Sequence, residues 1–393
     1  MDVDDLRRLL SPEGLRLLDE VGRLESGTDV VRTVSRLRAA GHDGGLVAAV
    51  LEQARLRSRA VAKFGDFADR MLFTPAGLEQ ATRLRVAARH AGRFAEAGID
   101  VVADLGCGIG ADAMALAALD LGVVAVERDE LTAAVAAFNL APFPSARVEL
   151  GDAEATDLAG VGGIWLDPAR RDGATRLTDP GDWSPSLDWA FELATRIPAG
   201  IKLGPGLDRA LLPETAEAQW VSVDRDVVEL VLWSGPLARP GIRRSALVLS
   251  SAGAAELTAP ADSPDTGVGA LDEYLVEPDG AVIRARLIGD LARSLDGRML
   301  DPTIAWITTA TPPATPFGQV FRVLDRFPLD VKTLRRELAA REIGTLEIKK
   351  RGVDLDPATF RTRLALRGEA SATLVLTRIA GARAAILVER AST

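Results

Sequence analysis

The chain has 393 residues, of which 47% are hydrophobic and 26% charged, and its formal net charge is −9. A chain of that length is too long to fold around one ordinary hydrophobic core, so two or three domains are expected. The negative net charge argues against a nucleic-acid-binding surface that extends over the whole chain. Because the chain has one cysteine, it cannot form an internal disulfide. One cysteine and two histidines are too few for an ordinary His/Cys zinc site, so no metal is expected, and two histidines leave few candidates for a Ser-His-Asp triad.

The sequence contains no run of about 18 or more uncharged apolar residues, so we expect no membrane span. The first residues, MDVDDLRRLLSPEG, are acidic and amphipathic and lack the basic start of a secretory signal. Together with the single cysteine, Cys107, these features predict a cytoplasmic protein.

Residues 1–98 predict an N-terminal helical domain. Their apolar residues recur at three- and four-residue spacing, which is the period of one helix face. Ser11-Pro12 and Thr74-Pro75 are typical helix starts, because a hydroxyl caps the helix and proline suits its first turn.

From Ile99 the pattern changes to short β-branched runs alternating with helical segments. The strand-like runs are IDVVADL, GVVAVE, ARVEL, GGIWLD and AGIKL, and the helices between the first three are ADAMALAALD and ELTAAVAAFNLA. This alternation predicts a doubly wound α/β domain over 99–250, with a parallel sheet covered on both faces. Residues 219–235 and 243–250 predict further strands, and 251–269 predict a loop.

Residues 271–393 predict a small α+β domain. A turn is expected at Pro278-Asp279-Gly280, followed by a helix, four further strand-like runs and two more helices. Between positions 332 and 367, ten Lys and Arg face five Asp and Glu, a local balance of +5. Such a balance is typical of a solvated basic face as well as of a nucleic-acid contact.

A glycine-rich turn follows the first strand and opens a helix. It runs from Asp104 through Gly106 and Gly108 to Gly110. Glycines let the backbone approach a ligand closely, and in a doubly wound sheet this turn lies at the cofactor crevice. The turn alone also fits the dinucleotide pattern, with Ala111 in the last position.

Three further acidic residues end or follow strands. Glu127 ends the second strand, where a carboxylate binds ribose hydroxyls in nicotinamide and S-adenosylmethionine (SAM) sites alike. Asp152 follows the third strand, where methyltransferases bind the adenine amino group and a dinucleotide enzyme needs no acid. Asp167 ends the fourth strand, before a proline that turns the chain over the crevice. Four acids at one sheet edge predict a SAM site.

The motifs DLGCGIG, VVAVERD, GDA and LDPAR resemble class I SAM-dependent methyltransferases. A closer resemblance is to the bacterial members with a THUMP-like C-terminal domain. It rests on residues 77–82 (GLEQAT), 167–170 (DPAR), 201–208 (IKLGPGLD), 274–280 (YLVEPDG) and 347–352 (EIKKRG). The resemblance implies a Rossmann-like sheet, SAM as cofactor and, because THUMP domains bind RNA, a tRNA or rRNA partner. The implied cofactor residues are Asp104, Gly106, Gly108, Gly110, Glu127 and Asp152.

For the reacting end, Asp167 is the candidate that orients an N–H nucleophile, which predicts methylation of a nitrogen in an RNA base. Related amino-methyltransferases carry D/N-P-P-Y/F/W, whereas here Ala169 and Arg170 replace the second proline and the aromatic ring. That departure weakens the case for adenine or cytosine. The rings of Trp165, Trp183 and Phe73 are open between base stacking and the core.

Basic residues supply two further candidates. Arg170 and Lys202 are predicted at the same sheet edge, where they would hold a phosphate, stack on a base, or pair with Asp172 and Asp208. Predicted RNA-phosphate contacts are Lys349, Lys350 and Arg351. The helix that carries Glu79 and Gln80 is read either as a cofactor lid or as plain helix surface.

Three alternatives remain open at this stage. A methyltransferase of small molecules or proteins suits the overall charge of −9. A nicotinamide-dependent oxidoreductase is opposed by Asp152 and by the lack of a Tyr-x-x-x-Lys pair, since Tyr274 is the single tyrosine. A catalytically silent RNA-binding protein is opposed by the intact set from Asp104 to Asp167. The oligomeric state is not predicted.

Overall fold

A computed structural model of the chain describes residues 1–24, 27–168, 171–172, 175–176 and 183–391. The chain folds into two compact units, the first formed by Met1–Leu203 with Leu232–Ala238 and the second by Gly204–Val231 with Arg239–Thr393. The division of the sequence into three domains at 1–98, 99–250 and 271–393 stays a prediction. None of the helices in the described part of the chain combines the length and apolar character needed to cross a bilayer.

The first unit begins with helices, as the apolar spacing predicts. They are α1 (Val3–Leu9), α2 (Pro12–Val21), α3 (Gly27–Ala39), α4 (Gly44–Phe64), a 3-10 helix at Gly65–Arg70, α5 (Pro75–Gln80) and α6 (Leu84–Glu96). Both predicted caps form, because Ser11 Oγ accepts from the Gly14 amide and Thr74 Oγ1 from the Gly77 amide, each at 3.0 Å. A proline follows each cap.

Five neighbouring parallel strands of one sheet follow. Its elements are β1 (Val101–Leu105), α7 (Ala111–Ala117), β2 (Gly122–Glu127), α8 (Glu130–Leu140), β3 (Ala146–Leu150), β4 (Gly163–Leu166), the two-residue strands β5 (Arg171–Asp172) and β6 (Thr175–Arg176), α9 (Leu187–Ala194) and β7 (Ala199–Leu203). The order is β3-β2-β1-β4-β7, and each neighbouring pair is parallel. The order reverses at β1, the point where doubly wound sheets bind ligands.

An aromatic cluster fills the face of this sheet next to β4 and β7. The ring of Trp165 lies 5.8 Å from Trp233 and 6.5 Å from Phe94, measured between centroids. A Cβ at Gly200 would approach both indoles to within 2.8 Å, so only glycine fits there. The returning segment Leu232–Ala238 brings Trp233 into this cluster and joins β7, where the Ser234 amide donates to Ala199 O at 2.9 Å.

The second unit starts with β8 (Glu217–Val223), β9 (Asp226–Trp233), β10 (Arg244–Ser250) and β11 (Gly253–Ala259). Strand β10 is parallel to β8 and antiparallel to β11. The predicted loop over 251–269 is therefore wrong for Gly253–Ala259. Its small and polar residues give no strand pattern, and backbone pairing with β10 makes the strand.

A seven-stranded sheet completes this unit. Its elements are β12 (Tyr274–Pro278), α10 (Gly280–Arg284), α11 (Ile288–Ser294), β13 (Arg298–Asp301), β14 (Ile304–Thr309), β15 (Gly318–Pro328), α12 (Val331–Ala340), β16 (Ile343–Lys350), α13 (Pro357–Leu364), β17 (Ala370–Ile379) and β18 (Ala382–Arg390). The order is β13-β14-β12-β15-β18-β17-β16, and β16 with β17 is the parallel pair. The predicted α+β character is confirmed, although β13 and β14 were not foreseen.

Candidate active site

The glycine-rich turn after β1 adopts a backbone that favours glycine. Gly106, Gly108 and Gly110 have φ values of +87°, +57° and +84°. The amide of Gly106 donates to Val126 O at 2.9 Å, which fixes the turn beside the end of β2. A Cβ at Gly108 would meet nothing within 4 Å, so this part of the turn borders open space.

The turn also lies next to the end of β4, because a Cβ at Gly106 would be 3.5 Å from Asp167 O. Asp104, at the end of β1, is 1% exposed, and its Oδ2 has no hydrogen-bond partner among the residues that the structure describes. Burial, reinforced by the charges of Asp112 and Asp167, raises the pKa of Asp104 well above its usual value.

The other two predicted cofactor acids lie at the ends of the next strands. Glu127 accepts hydrogen bonds from the amides of Gly108 and Asp129, both at 3.0 Å. Asp152 is exposed after β3, and its Oδ1 accepts from the Glu154 amide at 2.8 Å. The structure thus places all the predicted cofactor residues along one edge of the parallel sheet.

At the end of β4, Asp167 forms an ion pair with Lys202 of β7. Its Oδ2 is 2.6 Å from Lys202 Nζ, and the Asp167 side chain is 29% exposed whereas that of Lys202 is 10% exposed. Asp208, one of the acids named as an alternative partner, accepts from the Ala210 amide through Oδ1. Arg170, also predicted for this edge, lies outside the described residues, as does Ala169.

Sequence reasoning missed a buried hydrogen-bond chain behind this ion pair. Lys202 Nζ is 3.0 Å from Thr82 Oγ1, and Thr82 Oγ1 is 2.6 Å from Asp112 Oδ2. The other oxygen of Asp112 is 2.8 Å from Nδ1 of His90. Burial acts to raise the pKa of Asp112, but the hydrogen bond and charge of His90, the charge of Lys202 and the Thr82 hydroxyl hold it below its usual value.

The candidate stacking rings prove to be internal. Trp165 is 1% exposed, Phe73 is fully buried and Trp183 is 8% exposed. Trp165 stacks on His90, with centroids 4.2 Å apart and planes inclined by 29°. Reading Trp165 or Phe73 as a base-stacking ring was therefore wrong, because both belong to the core.

The segment between α4 and α5 is linked to the glycine-rich turn by hydrogen bonds through Asn139. Asn139 of α8 accepts from the Leu72 amide at 2.8 Å and donates to the carbonyls of Leu72 and Ile109 at 3.0 and 2.9 Å. Gln53 of α4 pairs with the amide and carbonyl of Phe73 at 3.0 and 2.7 Å. The N-terminal helices therefore set the position of the chain that leads into α5.

Helix α5 packs directly against the turn. A Cβ at Gly77 would be 2.4 Å from Ile109 Cγ2. At the other end of α5, Lys63 Nζ donates to the carbonyls of Leu78, Glu79 and Ala81 at 2.7–2.8 Å. Burial lowers the pKa of Lys63 to about 8. Glu79 and Gln80 are exposed on this helix.

The predicted RNA contacts lie at the end of β16 in the second unit. Lys349 Nζ is 2.8 Å from Glu277, and Arg351 lies 3.7 Å from the same carboxylate, which also binds Arg225 at 3.1 Å. Lys350 is exposed. Within the described ranges, no group of three His, Cys, Asp or Glu side chains is arranged to hold a metal ion.

Comparison with known proteins agrees with this architecture. Residues 318–390 match the family model of THUMP domain-like proteins, and residues 2–60 match a family described as a domain of unknown function. A methyltransferase crystal structure from Porphyromonas gingivalis W83 shares the fold, with a TM-score of 0.71 at 20% identity over 94% of this chain and 100% of that one.

Full-length relatives are found in Mycobacterium tuberculosis. Two strains carry a protein named as an uncharacterised S-adenosylmethionine-dependent methyltransferase, which is 34% identical over an alignment of 343 residues. The alignment covers 84% of this chain and 92% of the relative. The chain therefore belongs to the S-adenosylmethionine-dependent methyltransferases, with S-adenosylmethionine as its cofactor.

Proposed function

We propose that the protein transfers the methyl group of SAM to a nitrogen of an RNA base, and that Asp167 orients the nucleophile. The observation that carries this proposal is the ion pair of Asp167 with Lys202, 2.6 Å long, beside the glycine-rich turn. Membership of the family sets aside the oxidoreductase and the catalytically silent protein.

The described residues fit SAM on the evidence of their own geometry. Open space at Gly108 leaves room beside the turn, and the Glu127 carboxylate retains lone pairs for a ribose diol. Asp152 is exposed after β3, as an acceptor for the adenine amino group requires. The unpartnered buried Oδ2 of Asp104 calls for a donor, since buried polar atoms are nearly always hydrogen-bonded. The proposed cofactor residues are Asp104, Gly106, Gly108, Gly110, Glu127 and Asp152.

When bound, SAM supplies a methyl group on a positively charged sulfur, so the protein has mainly to align the acceptor. Lys202 engages Oδ2 of Asp167, which leaves Oδ1 to accept a hydrogen bond from the N–H of the target. As that nitrogen gains the methyl group it becomes positively charged, and the Asp167 carboxylate stabilises this charge and accepts the proton. From its place in the sequence, three residues after Asp167, we assign Arg170 to hold substrate.

RNA as the substrate is supported by the second unit. The THUMP domain-like match covers β16, which carries Lys349 and Lys350, and Arg351 directly after it. Around Glu277 and Glu347, four cations (Arg225, Lys349, Arg351 and Arg390) face two carboxylates, so the group keeps a positive excess that suits phosphate. We therefore propose tRNA or rRNA as the partner, in the cytoplasm, where a lone cysteine stays reduced.

A second candidate is methylation of a small molecule or protein. The ion pairs of Lys349 and Arg351 with Glu277 favour it, because two of the three proposed RNA contacts already have a carboxylate partner. The net charge of −9 points the same way.

One experiment separates these candidates. The purified protein is incubated with tritiated SAM and, in turn, total RNA, small metabolites and protein from a strain that lacks the gene. We expect label in RNA, and nucleoside analysis then identifies the methylated atom. Label confined to metabolites or protein would contradict the RNA proposal.

The Asp167→Ala variant tests the site itself. We expect methyl transfer to fall roughly 100-fold, because the acceptor of the target N–H is lost, while calorimetry shows unchanged binding of S-adenosylhomocysteine. Asp188→Ala, on the exposed first turn of α9, is the matched control and should transfer at the normal rate. Equal activity of both variants would show that Asp167 has no part in the reaction.

A further inference from the structure

We infer that Thr82, Asp112 and His90 are positioning residues for methyl transfer, which act by holding Lys202 and thereby fixing the Asp167 carboxylate. The inference rests on the proposed role of Asp167 as the group that orients the nucleophile. It assigns a function to side chains from two helices, α6 and α7, and from the loop between α5 and α6, all of which lie outside the strand-end motifs.

The direction of each hydrogen bond follows from the chemistry of the groups. The Lys202 ammonium can only donate, and its partners are Asp167 Oδ2 at 2.6 Å and Thr82 Oγ1 at 3.0 Å. A threonine hydroxyl has one proton, so Thr82 accepts from Lys202 and donates that proton to Asp112 Oδ2 at 2.6 Å. The chain of donors therefore runs from Lys202 through Thr82 to Asp112.

The far end of the chain is fixed in the same way. The ionised Asp112 carboxylate accepts at both oxygens, so His90, 2.8 Å away, donates through a proton on Nδ1. The His90 ring is buried and stacks on Trp165 of β4. Packing on the indole holds the imidazole plane, and Trp165 stands two residues before Asp167.

Thr82 is held by its own backbone surroundings. It follows α5 directly, and the Lys63 ammonium binds the carbonyls of Leu78, Glu79 and Ala81 immediately before it. The hydroxyl of Thr82 is therefore presented to Lys202 and Asp112 by an anchored segment.

The location of the network argues for function over stability. Burying charged groups is expensive, and apolar side chains of similar volume commonly stabilise a core as well or better. Here the groups are buried at one end, at His90 and Asp112, and reach solvent at Asp167, whose side chain is 29% exposed. With Oδ2 held by Lys202, the Asp167 carboxylate keeps one orientation and presents Oδ1. Such fixed geometry is what the positioning of a nucleophile requires.

The test compares two substitutions at Thr82. Thr82→Val keeps the shape but removes the hydroxyl, and we expect kcat on RNA to fall roughly 10- to 100-fold, with unchanged KM for RNA and unchanged affinity for S-adenosylhomocysteine. Thr82→Ser, which keeps the hydroxyl, should recover most of kcat. Thr377→Val is the matched control, because Thr377 is fully buried and its hydroxyl has no partner, and it should keep the normal kcat.

A second readout does not depend on catalysis. The chain has two histidines, so ¹⁵N-histidine NMR resolves both rings, and His42→Gln assigns them. We expect a proton on Nδ1 of His90 in the native protein and in Thr82→Val, and its transfer to Nε2 in Asp112→Asn together with a loss of kcat.

Three results would overturn the inference, and the first two are a normal kcat in Thr82→Val and a native His90 without a proton on Nδ1. A kcat that falls only in proportion to the folded fraction would also overturn it, because that marks a purely structural role. If the native protein labels no RNA, the proposed function fails instead, and the NMR result still reports on the network.

Discussion

The Asp104 carboxylate is buried, and its Oδ2 has no hydrogen-bond partner among the described residues. Such an arrangement lowers the stability of the folded state. Because burial raises its pKa in the folded state, the stability that this group contributes is fully present below its unfolded pKa and is lost as pH rises through the folded value. The residue thus lowers the stability of the folded state, as ionisable groups in binding sites often do.

We predict that Asp104→Asn raises the free energy of unfolding at pH 7.5 by about 1–3 kcal/mol and weakens binding of S-adenosylhomocysteine. The gain should vanish below about pH 4, where the acid is protonated in both states. Denaturant unfolding at pH 7.5 and pH 4, followed by tryptophan fluorescence, measures it. Asp100→Asn is the control, since Asp100 is exposed just before β1. A gain that does not change with pH would contradict this explanation.

The same scale shows why sequence reasoning found only part of the site. Glycines and strand-end acids follow from local pattern, because one turn and one sheet edge bring them together. The Thr82–Asp112 bond joins residues 30 apart and the Lys202–Thr82 bond residues 120 apart. No local pattern marks such pairs, and the closing Thr of GLEQAT was the only available signal.

At the scale of elements, α5 and the glycine-rich turn form one packed contact. Gly77 permits this contact, because a Cβ there would be 2.4 Å from Ile109 Cγ2 and 2.7 Å from Thr74 Oγ1. Helix α5 can therefore pack against the glycine-rich turn because residue 77 has no side chain.

We expect Gly77→Ala to destabilise the protein by about 1–3 kcal/mol through overpacking and to weaken S-adenosylhomocysteine binding by displacing Ile109. Gly92→Ala in α6 is the matched control, because a Cβ there meets nothing within 4 Å. It should stabilise the helix by about 0.5–1 kcal/mol. Thermal unfolding and calorimetry decide the matter, and similar behaviour of both variants would refute the contact as the cause.

Elements with a clear period were predictable, and those without one were not. The predicted strands of the parallel sheet fall within a residue or two of their observed ends, since each is a short apolar run bounded by a glycine or an acid. Strand β14, Ile304–Thr309, is buried on both faces and has no alternation, and β13 has only four residues. Such segments form strands because of their pairing and packing with neighbouring strands, which the local sequence does not reveal.

At the scale of the whole molecule, the net charge of −9 means that the RNA binding we propose requires a local basic surface. Lys350 is the exposed member of the proposed contacts. We predict that Lys350→Ala weakens RNA binding by the full-length protein and reduces the slope of log affinity against log salt by about 1. Lys332→Ala, an equal charge change on exposed α12, should leave the slope unchanged. If both variants change the slope equally, the contact is non-specific.

The path of the chain was the least predictable feature at this scale. Composition changes mark candidate boundaries near 98, 250 and 270, whereas the compact units divide at 203, 231 and 238. Strand β9 begins in one unit and ends in the other, and its sequence, DVVELVLW, gives no sign of that change.

The return of Leu232–Ala238 to the first unit sets an order of events on the ribosome. When Leu203 leaves the exit tunnel, Trp165 and Phe94 still lack the Trp233 ring that packs 5.8 and 6.0 Å from them. The core of the cofactor-binding unit thus stays incomplete in the nascent chain until residues 204–231 have been synthesised. During this period the exposed indole rings promote aggregation. A nascent chain that stalls between these points would expose an incomplete aromatic cluster to which a chaperone could bind. A shortened protein that keeps only the first unit therefore has to join Leu203 directly to Leu232, because truncation after Leu203 would remove Trp233.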